Sequence, residues 1–213
     1  EKLEQVKSAR YVFNGPIVRR MSAEQFSDAV SQVIAPVYYA AAYNPSGDQL
    51  SSNRIWHRER KFDRDVLPEP GTRYFRHKLT LTDQEIINAQ ALISVDHSYS
   101  FYLNGNKVAE GNDWRKVSKL DVAKFLKSGE NVIAIEGTNE GPIANPAGIL
   151  FAMKIQQKES LETTIQSANG EGWKSTDVSP GKEWLSAAFN DSGWENVRNY
   201  GSMHWDQLLG FTF

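Results

Sequence analysis

The chain has 213 residues, 40% of them hydrophobic, with 24 basic and 26 acidic side chains and a formal net charge of −2. This length allows one sizeable core plus an extension. The near-neutral charge gives no electrostatic footprint for nucleic acid or an acidic membrane surface. Because cysteine is absent, the chain can form no disulfide, thiolate metal site or cysteine nucleophile. No apolar run approaches the roughly 20 residues of a membrane-spanning helix.

The first predicted element is a helix over residues 21–36. Ser22 and Gln25 have the spacing of a capping box, in which each side chain satisfies a backbone N–H at the start of the helix. Apolar residues then recur at helical spacing until a proline stops the pattern; they are Phe26, Ala29, Val30, Val33 and Ile34. We expect residues 1–53 to form a helical extension and linker, and residues 54–213 to form a β domain.

Apolar or alternating runs bounded by turn residues predict a series of strands in the β domain. They cover residues 55–62, 73–81, 89–95, 98–103, 107–109, 131–137 and 148–156. Residues 131–137 are apolar on both faces, which predicts a central strand. Asn104-Gly105 accepts positive φ at both central positions of a hairpin turn.

Shorter features complete the predicted β domain. Residues 121–126 predict a helical turn with Asp121 as its N-cap, and closing strands are expected near residues 163–168 and 208–213. The charged cluster from Trp56 to Lys61 is typical of an edge strand with an exposed face. His77 shares its strand face with apolar neighbours and is interpreted as a core histidine.

The order of motifs in this β domain resembles a known family. ALISVDHSYSFYLNGNKVAEGNDW is followed by LDVAKFLKSGENVIAIEG and by a Pro-Ala-Gly entry into an alternating strand. Residues 54–213 thereby resemble the galactose-binding-like β-sandwich domains that accompany bacterial glycoside hydrolases, including α-L-rhamnosidases, as non-catalytic carbohydrate-binding modules. FNDSGW at residues 189–194 is similar to a late FxDSxW segment of these domains. The resemblance implies a mainly β, jelly-roll sandwich with a sugar site on loops at one end and often a structural calcium.

A second resemblance concerns the predicted helix. GPIVRRMSAEQFSDAVSQV is similar to a segment from the C-terminal part of large secreted bacterial proteins of unknown function that start with a haem-c-type domain. This chain lacks the Cys-x-x-Cys-His motif, so no haem attaches to it. The sequence starts at Glu1 in a charged stretch without a signal-peptide pattern. We expect it to be a module of a larger exported protein, either secreted, periplasmic or on the cell surface.

Two loops supply the candidate ligand-binding residues. Asn112, Asp113, Trp114 and Arg115 combine an aromatic plate with hydrogen-bonding groups, the combination that sugar C–H faces and hydroxyls require. In the alternative interpretation, Trp114 is a structural plug and Arg115 pairs with Asp113, because tryptophan is usually mostly buried.

The second loop, TNEGPIANPAG, contains Asn139, Glu140 and Asn145. The family resemblance places it beside the first loop, and it implies acidic, amide and aromatic ligand groups at Asn112, Asp113, Trp114 and Asn139. The loop is longer here than in the family. The alternative interpretation is a turn-rich connection whose asparagines cap their own turns.

A metal site is less well defined by the sequence. Calcium takes about six to eight oxygen ligands, and carboxylates and amides of both loops are candidates: Asp96, Asn112, Asp113, Asn139 and Glu140. No spacing matches a dedicated calcium loop, and the histidines lack a zinc motif.

These features favour a non-catalytic carbohydrate-binding module whose partners are a glycan and the other domains of its parent protein. The alternative is a structural or protein-interaction module that packs against those domains and binds no sugar. An independent glycoside hydrolase is the third option. It would need two facing carboxylates among Asp96, Asp113, Glu136 and Glu140.

Overall fold

A computed structural model describes residues 53–59, 67–160, 162–167 and 170–201. The helix predicted over residues 21–36, the linker before Asn53 and the closing strand predicted at residues 208–213 lie outside these described ranges. Within them, no helix is long and apolar enough to span a bilayer.

The described residues form two antiparallel sheets. Sheet A contains, in spatial order, β12 (Arg198–Asn199), β1 (Ile55–Trp56), β8 (Ile149–Gln157), β3 (Ile86–Val95) and β6 (Ser118–Asp121), and β9 (Thr163–Gln166) also pairs with β8. Sheet B contains β11 (Glu195–Asn196), β10 (Trp173–Thr176), β2 (Gly71–Leu81), β7 (Gly129–Asn139), β4 (Ser98–Leu103) and β5 (Asn106–Gly111).

The two sheets enclose one apolar core. Inward residues of both sheets meet there, and Phe101 of β4 packs against Phe151 of β8 with ring centroids 5.5 Å apart. Phe151 also lies 5.5 Å from the ring of Trp173 on β10. Along β4 buried and partly exposed residues alternate, as expected for a strand with one face on a core. The prediction of a mainly β sandwich is therefore confirmed.

Local turn chemistry also follows the sequence. Asn104 and Gly105 join β4 to β5 with φ of 51° and 85°. The Asn104 side chain accepts the Val132 N–H at 3.0 Å and donates to Phe125 O at 2.9 Å and Asn131 Oδ1 at 2.7 Å. These bonds tie the hairpin tip to the start of β7, which lies between β2 and β4 as the prediction of a central strand requires.

The predicted helical turn is present as a short 3-10 helix over Ala123–Phe125. The prediction of Asp121 as the N-cap is wrong by one residue, because the N-cap is Val122, which makes no side-chain capping bond. The Asp121 carboxylate nevertheless accepts the Ala123 N–H at 3.2 Å from the position before the cap.

The prediction of an edge strand at Trp56–Lys61 is wrong for its described part, Trp56 to Glu59; Arg60 and Lys61 lie outside the described residues. β1 lies between β12 and β8, and Trp56 and His57 are buried. Glu59 receives two hydrogen bonds from the Arg73 guanidinium, at 3.1 and 2.8 Å. The side chains of this ion pair are only 8% and 9% exposed, so Glu59 serves internal pairing, whereas Arg58 is exposed.

The end of β5 passes close to a buried ring. A Cβ on Gly111 would lie 2.5 Å from Cε1 of Tyr99, and the Tyr99 hydroxyl is fixed by a 2.9 Å hydrogen bond to Ser118 Oγ. We therefore expect Gly111→Ala to lower the free energy of unfolding by about 1–3 kcal/mol, the usual cost of overpacking. Urea denaturation measures this change.

Gly193 provides the matched control, because a Cβ there would meet nothing within 4 Å. Gly193→Ala should change the free energy of unfolding by no more than about 0.5 kcal/mol, as at ordinary surface positions. Equal losses in the two variants would contradict the steric explanation.

Two histidines pack against the core, and their surroundings disfavour the protonated form of each imidazole. Burial lowers the pKa of His57, whose Nδ1 lies 3.0 Å from Ser175 Oγ. Burial also lowers the pKa of His77, and it does so more than a backbone contact with Gly172 raises it. The His77 ring packs 5.2 Å from that of Trp173.

These depressed values predict acid sensitivity. In the unfolded chain both imidazoles titrate near a pKa of about 6.5, so below that pH the unfolded chain binds protons that the folded protein does not. The free energy of unfolding should therefore fall from about pH 7.5 to about pH 5.5. The fall should be smaller in His77→Gln, measured by denaturation at both pH values. If the free energy of unfolding of this variant changed with pH as in the wild type, His77 would be excluded as a source of the acid sensitivity.

Candidate functional site

The first predicted loop leads from β5 towards β6, and its tryptophan covers sheet A. Half-buried Trp114 packs with Val117 on the outer face of this sheet, against Leu92, Leu150 and Ala152. The Trp114 carbonyl accepts a hydrogen bond of 2.6 Å from Ser94 Oγ. The Arg115 guanidinium carbon lies 4.8 Å from the centroid of the Trp114 ring. The indole is thus in contact with both the sheet and a cation.

The neighbouring charges of this loop form a local turn. The Arg115 backbone N–H donates to Asp113 Oδ1 at 3.0 Å, and one guanidinium nitrogen lies 3.7 Å from the same oxygen. The two side chains are 73% and 53% exposed. Such an exposed pair contributes little to stability and leaves both groups accessible to a ligand.

The second predicted loop is held together by its own amides. Asn139 is buried, and its Nδ2 donates to Pro68 O at 3.1 Å and Glu69 O at 3.3 Å. Asn145 Nδ2 donates to Glu140 O at 2.9 Å, and the Glu140 side chain is exposed. The side chains of Asn139 and Asn145 therefore brace the loop from inside.

The calcium site stays a prediction. The part of the chain that the structure describes contains no group of three or more His, Cys, Asp or Glu side chains that could hold a metal, whereas the predicted ligands also include the amides of Asn112 and Asn139. Buried Asp96 instead has its Oδ2 2.7 Å from His97 Nδ1. Asn139 Oδ1, one of the predicted ligand atoms, is buried and has no hydrogen-bond partner among the described residues.

Asn112 borders a groove on the outer face of sheet B, with a volume of about 440 Å³. We call it the polar groove. Its polar side chains are Ser98, Ser100, Glu110, Asn112, Glu136 and Thr138.

The strand register explains why these side chains meet. Ser100 of β4 lies opposite Glu110 of β5 on one side and opposite Glu136 of β7 on the other. Since neighbouring strands are about 4.8 Å apart, the backbones that carry the two carboxylates are roughly 10 Å apart. Ser98 lies opposite Thr138, and the Thr138 hydroxyl is 3.1 Å from that of Thr72.

Much of the hydrogen-bonding capacity of the polar groove is unused. The side chains of Ser98, Ser100, Asn112 and Glu136 have no hydrogen-bond partner within the described ranges. Glu110 differs, because its carboxylate bonds the Lys107 ammonium at 2.5 Å. This bond raises the pKa of Lys107 and lowers that of Glu110. Together the two glutamates and the lysine leave the groove with one net negative charge.

Three aromatic residues stand beside the polar groove, and we call them the aromatic ridge: Tyr74, Tyr102 and Trp184. Tyr74 lies opposite Glu136 in the β2–β7 pairing. The Trp184 ring lies 5.4 Å from that of Tyr74 and 6.3 Å from that of Tyr102. Trp184 is only 3% exposed, so the accessible rings of the ridge are those of the partly exposed Tyr74 and Tyr102, which Trp184 supports from behind. Hydroxyl, amide and carboxylate groups are thus combined with two tyrosine rings on one sheet face.

A buried ion pair holds the segment that carries Trp184. Arg76 Nε donates to Asp191 Oδ2 at 2.9 Å, and its Nη2 donates to Ser186 O at 3.1 Å. The Arg76 guanidinium carbon also lies 5.1 Å from the Phe189 ring centroid. The FNDSGW motif therefore works as a clamp on sheet B. Sequence reasoning identified the motif but not Arg76 as its partner.

The chain is similar to carbohydrate-active proteins and lectins. It is 31% identical over 129 residues to an α-L-rhamnosidase of Streptomyces avermitilis, a match that covers 58% of this chain and 12% of the relative. The chain thus spans about an eighth of the length of this curated relative. No protein-family model matches it.

Solved structures show the same similarity. The S. avermitilis α-L-rhamnosidase complexed with L-rhamnose matches with 30% identity and a TM-score of 0.64, over 75% of this chain and 16% of that one. The Pleurotus ostreatus lectin in complex with GalNAc matches with 25% identity and a TM-score of 0.62, over 72% and 44%. An Aspergillus terreus rhamnosidase, at 18% identity and a TM-score of 0.59, shares the fold. These neighbours support the predicted kind of sandwich.

The Arg76–Asp191 clamp can be tested directly. The two side chains are 0% and 13% exposed, so Asp191→Ala would leave a buried guanidinium without its carboxylate. We expect a loss of about 3–5 kcal/mol in the free energy of unfolding, measured in urea.

Two further variants separate charge from packing. Arg76→Met/Asp191→Leu should regain part of the loss, because an apolar pair removes the uncompensated charge. Glu110→Ala, which breaks an exposed pair, should leave the urea midpoint essentially unchanged. A tolerated Asp191→Ala would show that the clamp does not stabilise the fold.

Proposed function

We propose that the β-sandwich is a carbohydrate-binding module of the galactose-binding-like, jelly-roll type and that it binds a saccharide in the polar groove. The observation that carries the proposal is the set of unpaired hydroxyl, amide and carboxylate groups beside the aromatic ridge. Sugars offer hydroxyls to such groups and apolar C–H faces to aromatic rings. The likeness to a rhamnosidase and to a GalNAc-bound lectin supports this assignment.

The predicted loop residues have different parts in this proposal. Asn112 lines the groove directly. Asp113 and Arg115 follow it in the chain, and their exposed groups would contact portions of the ligand that extend beyond the groove. Trp114 supports this loop from sheet A. Asn139 and Asn145 keep the neighbouring loop in shape, with exposed Glu140 available at its surface.

We propose that the groove holds its ligand without cleaving it. Glycosidases place two carboxylates about 5 to 9.5 Å apart across the scissile bond. Here Glu110 is bonded to Lys107 and the strand of Ser100 separates it from Glu136. The module would then bind the saccharide as one domain of a larger exported bacterial protein, as the family resemblance implies.

One observation favours the second candidate, an interaction module without a sugar ligand. The ring of Trp114 is engaged by sheet A and by Arg115, so the tryptophan of the predicted site is used in packing. In this case the loop would stabilise the sandwich for contact with other domains of the parent protein.

Calorimetric titration of the full chain distinguishes the two candidates. The probes are L-rhamnose and GalNAc, each with calcium and with EDTA. Glu136→Gln should weaken binding of the responding sugar roughly tenfold, because a carboxylate acceptor is lost. Dependence on calcium would support a metal near the two loops.

Glu195→Gln is the matched control, since Glu195 is an exposed carboxylate on β11 at the far edge of the same sheet. It should bind as the wild type does. Absence of binding by both sugars and by a broader glycan array, under either metal condition, would refute the carbohydrate proposal. Release of reducing sugar that is lost in Glu136→Gln would refute the non-catalytic assignment.

A further inference from the structure

A second cavity lies on the same sheet, at the opposite end of β4 from Ser98. Its volume is about 730 Å³, and we call it the hairpin cavity. Residues from three segments line it: the β4–β5 turn at Asn104-Gly105, the start of β7 with Lys127, Ser128 and Glu130, and residues 182–188. The polar groove does not account for this cavity.

Strands β4 and β7 both run from the polar groove to the hairpin cavity. Glu136 of the groove and Glu130 of the cavity lie on one strand, β7, at positions that differ by an even number of residues. Their side chains therefore leave the same face of the sheet. At about 3.4 Å per residue, the separation along β7 is roughly 20 Å.

The aromatic ridge fills the space between the two cavities. Tyr102 is the next outward residue of β4 after Ser100 of the polar groove. The Trp184 ring lies 6.3 Å from that of Tyr102, and the following residue, Leu185, lines the hairpin cavity. Polar groove, aromatic ridge and hairpin cavity thus follow one another along a single sheet face.

The chemistry of the hairpin cavity suits a hydroxyl-rich ligand. Lys127, Lys182, Glu130 and Glu183 are exposed and of mixed charge, so the cavity has no net charge of its own. Ser186 adds a hydroxyl. A mixture of donors and acceptors can bind neutral hydroxyls. A strongly charged ligand would be repelled either by the two lysines or by the two glutamates.

The walls of this cavity are held in place. Each polar atom of the Asn104 amide already bonds within the fold, to Phe125, Asn131 and Val132. A Cβ on Gly105 would lie 3.9 Å from Leu185 O, so the hairpin tip closely approaches the segment of Trp184. A prearranged site of this kind reduces the ordering cost of binding.

We propose that the polar groove, the aromatic ridge and the hairpin cavity form one binding track for an extended oligosaccharide. A single sugar occupies the polar groove, and a longer neutral chain continues over the ridge into the hairpin cavity. This inference rests on the proposed carbohydrate function and specifies its ligand as a chain of several sugars.

The test compares ligands of increasing length on the full 213-residue chain. The probes are L-rhamnose and its di-, tetra- and hexasaccharides, with the corresponding GalNAc series if GalNAc is the sugar that binds. We expect the hexasaccharide to bind at least about tenfold more tightly than the monosaccharide, because added subsites contribute hydrogen bonds.

Variants then assign the gain to the hairpin cavity. Lys127→Ala/Lys182→Ala should lower hexasaccharide affinity about tenfold and monosaccharide affinity far less. Glu136→Gln should weaken both ligands. Lys158→Ala removes an exposed lysine that follows β8 in sheet A and serves as the matched control.

Two outcomes would overturn the inference in distinguishable ways. If the mono-, di-, tetra- and hexasaccharides all bound with the same affinity, and the double lysine variant did not change it, the track would be excluded. The carbohydrate proposal would remain intact. No binding at any chain length would refute both proposals.

Discussion

The register of β7 between β2 and β4 is the constraint on which the core and the groove both depend. β7 pairs with β2 along all eleven of its residues and with β4 on its other side. Side chains alternate between the faces of a strand, so a slip by one residue would exchange them. Ile135 would then leave the core, and Glu136 would enter it. Burial of the apolar set therefore fixes the position of the polar set, and the groove is a consequence of the core.

The outer face of sheet B adds a second level of organisation. Arg76 points away from the core, yet it is only 1% exposed, because the segment from Trp184 to Trp194 covers it. An ion pair with Asp191 and aromatic contacts hold this cover. The desolvation of Arg76 makes the pair costly to break. This segment thereby positions the aromatic ridge, while the outward residues at the neighbouring end of β4, β5 and β7 remain open to solvent as the polar groove.

Local patterns predicted the long strands, the hairpin turn and the central position of β7 because each depends on residues close in sequence. Patterns could not reveal β1 as an interior strand, since its partner β12 lies about 140 residues further along the chain. The shortest strands, including β11 and β12 with two residues each, carry no periodicity. The polar groove was missed for a related reason. Ser98, Ser100 and Glu136 look like ordinary outward positions until the register brings them together.

The contrast between Trp114 and Ser100 bears on where a ligand is held. Trp114 stood out by residue type, yet its ring is engaged in packing on sheet A. Ser100 is unremarkable by type, but backbone ladders on both sides fix its position. Groups on paired strands lose little freedom on binding, whereas loop groups must first be ordered. A sheet face with unpaired polar groups is therefore the better prearranged surface, and the loops are suited to extending it.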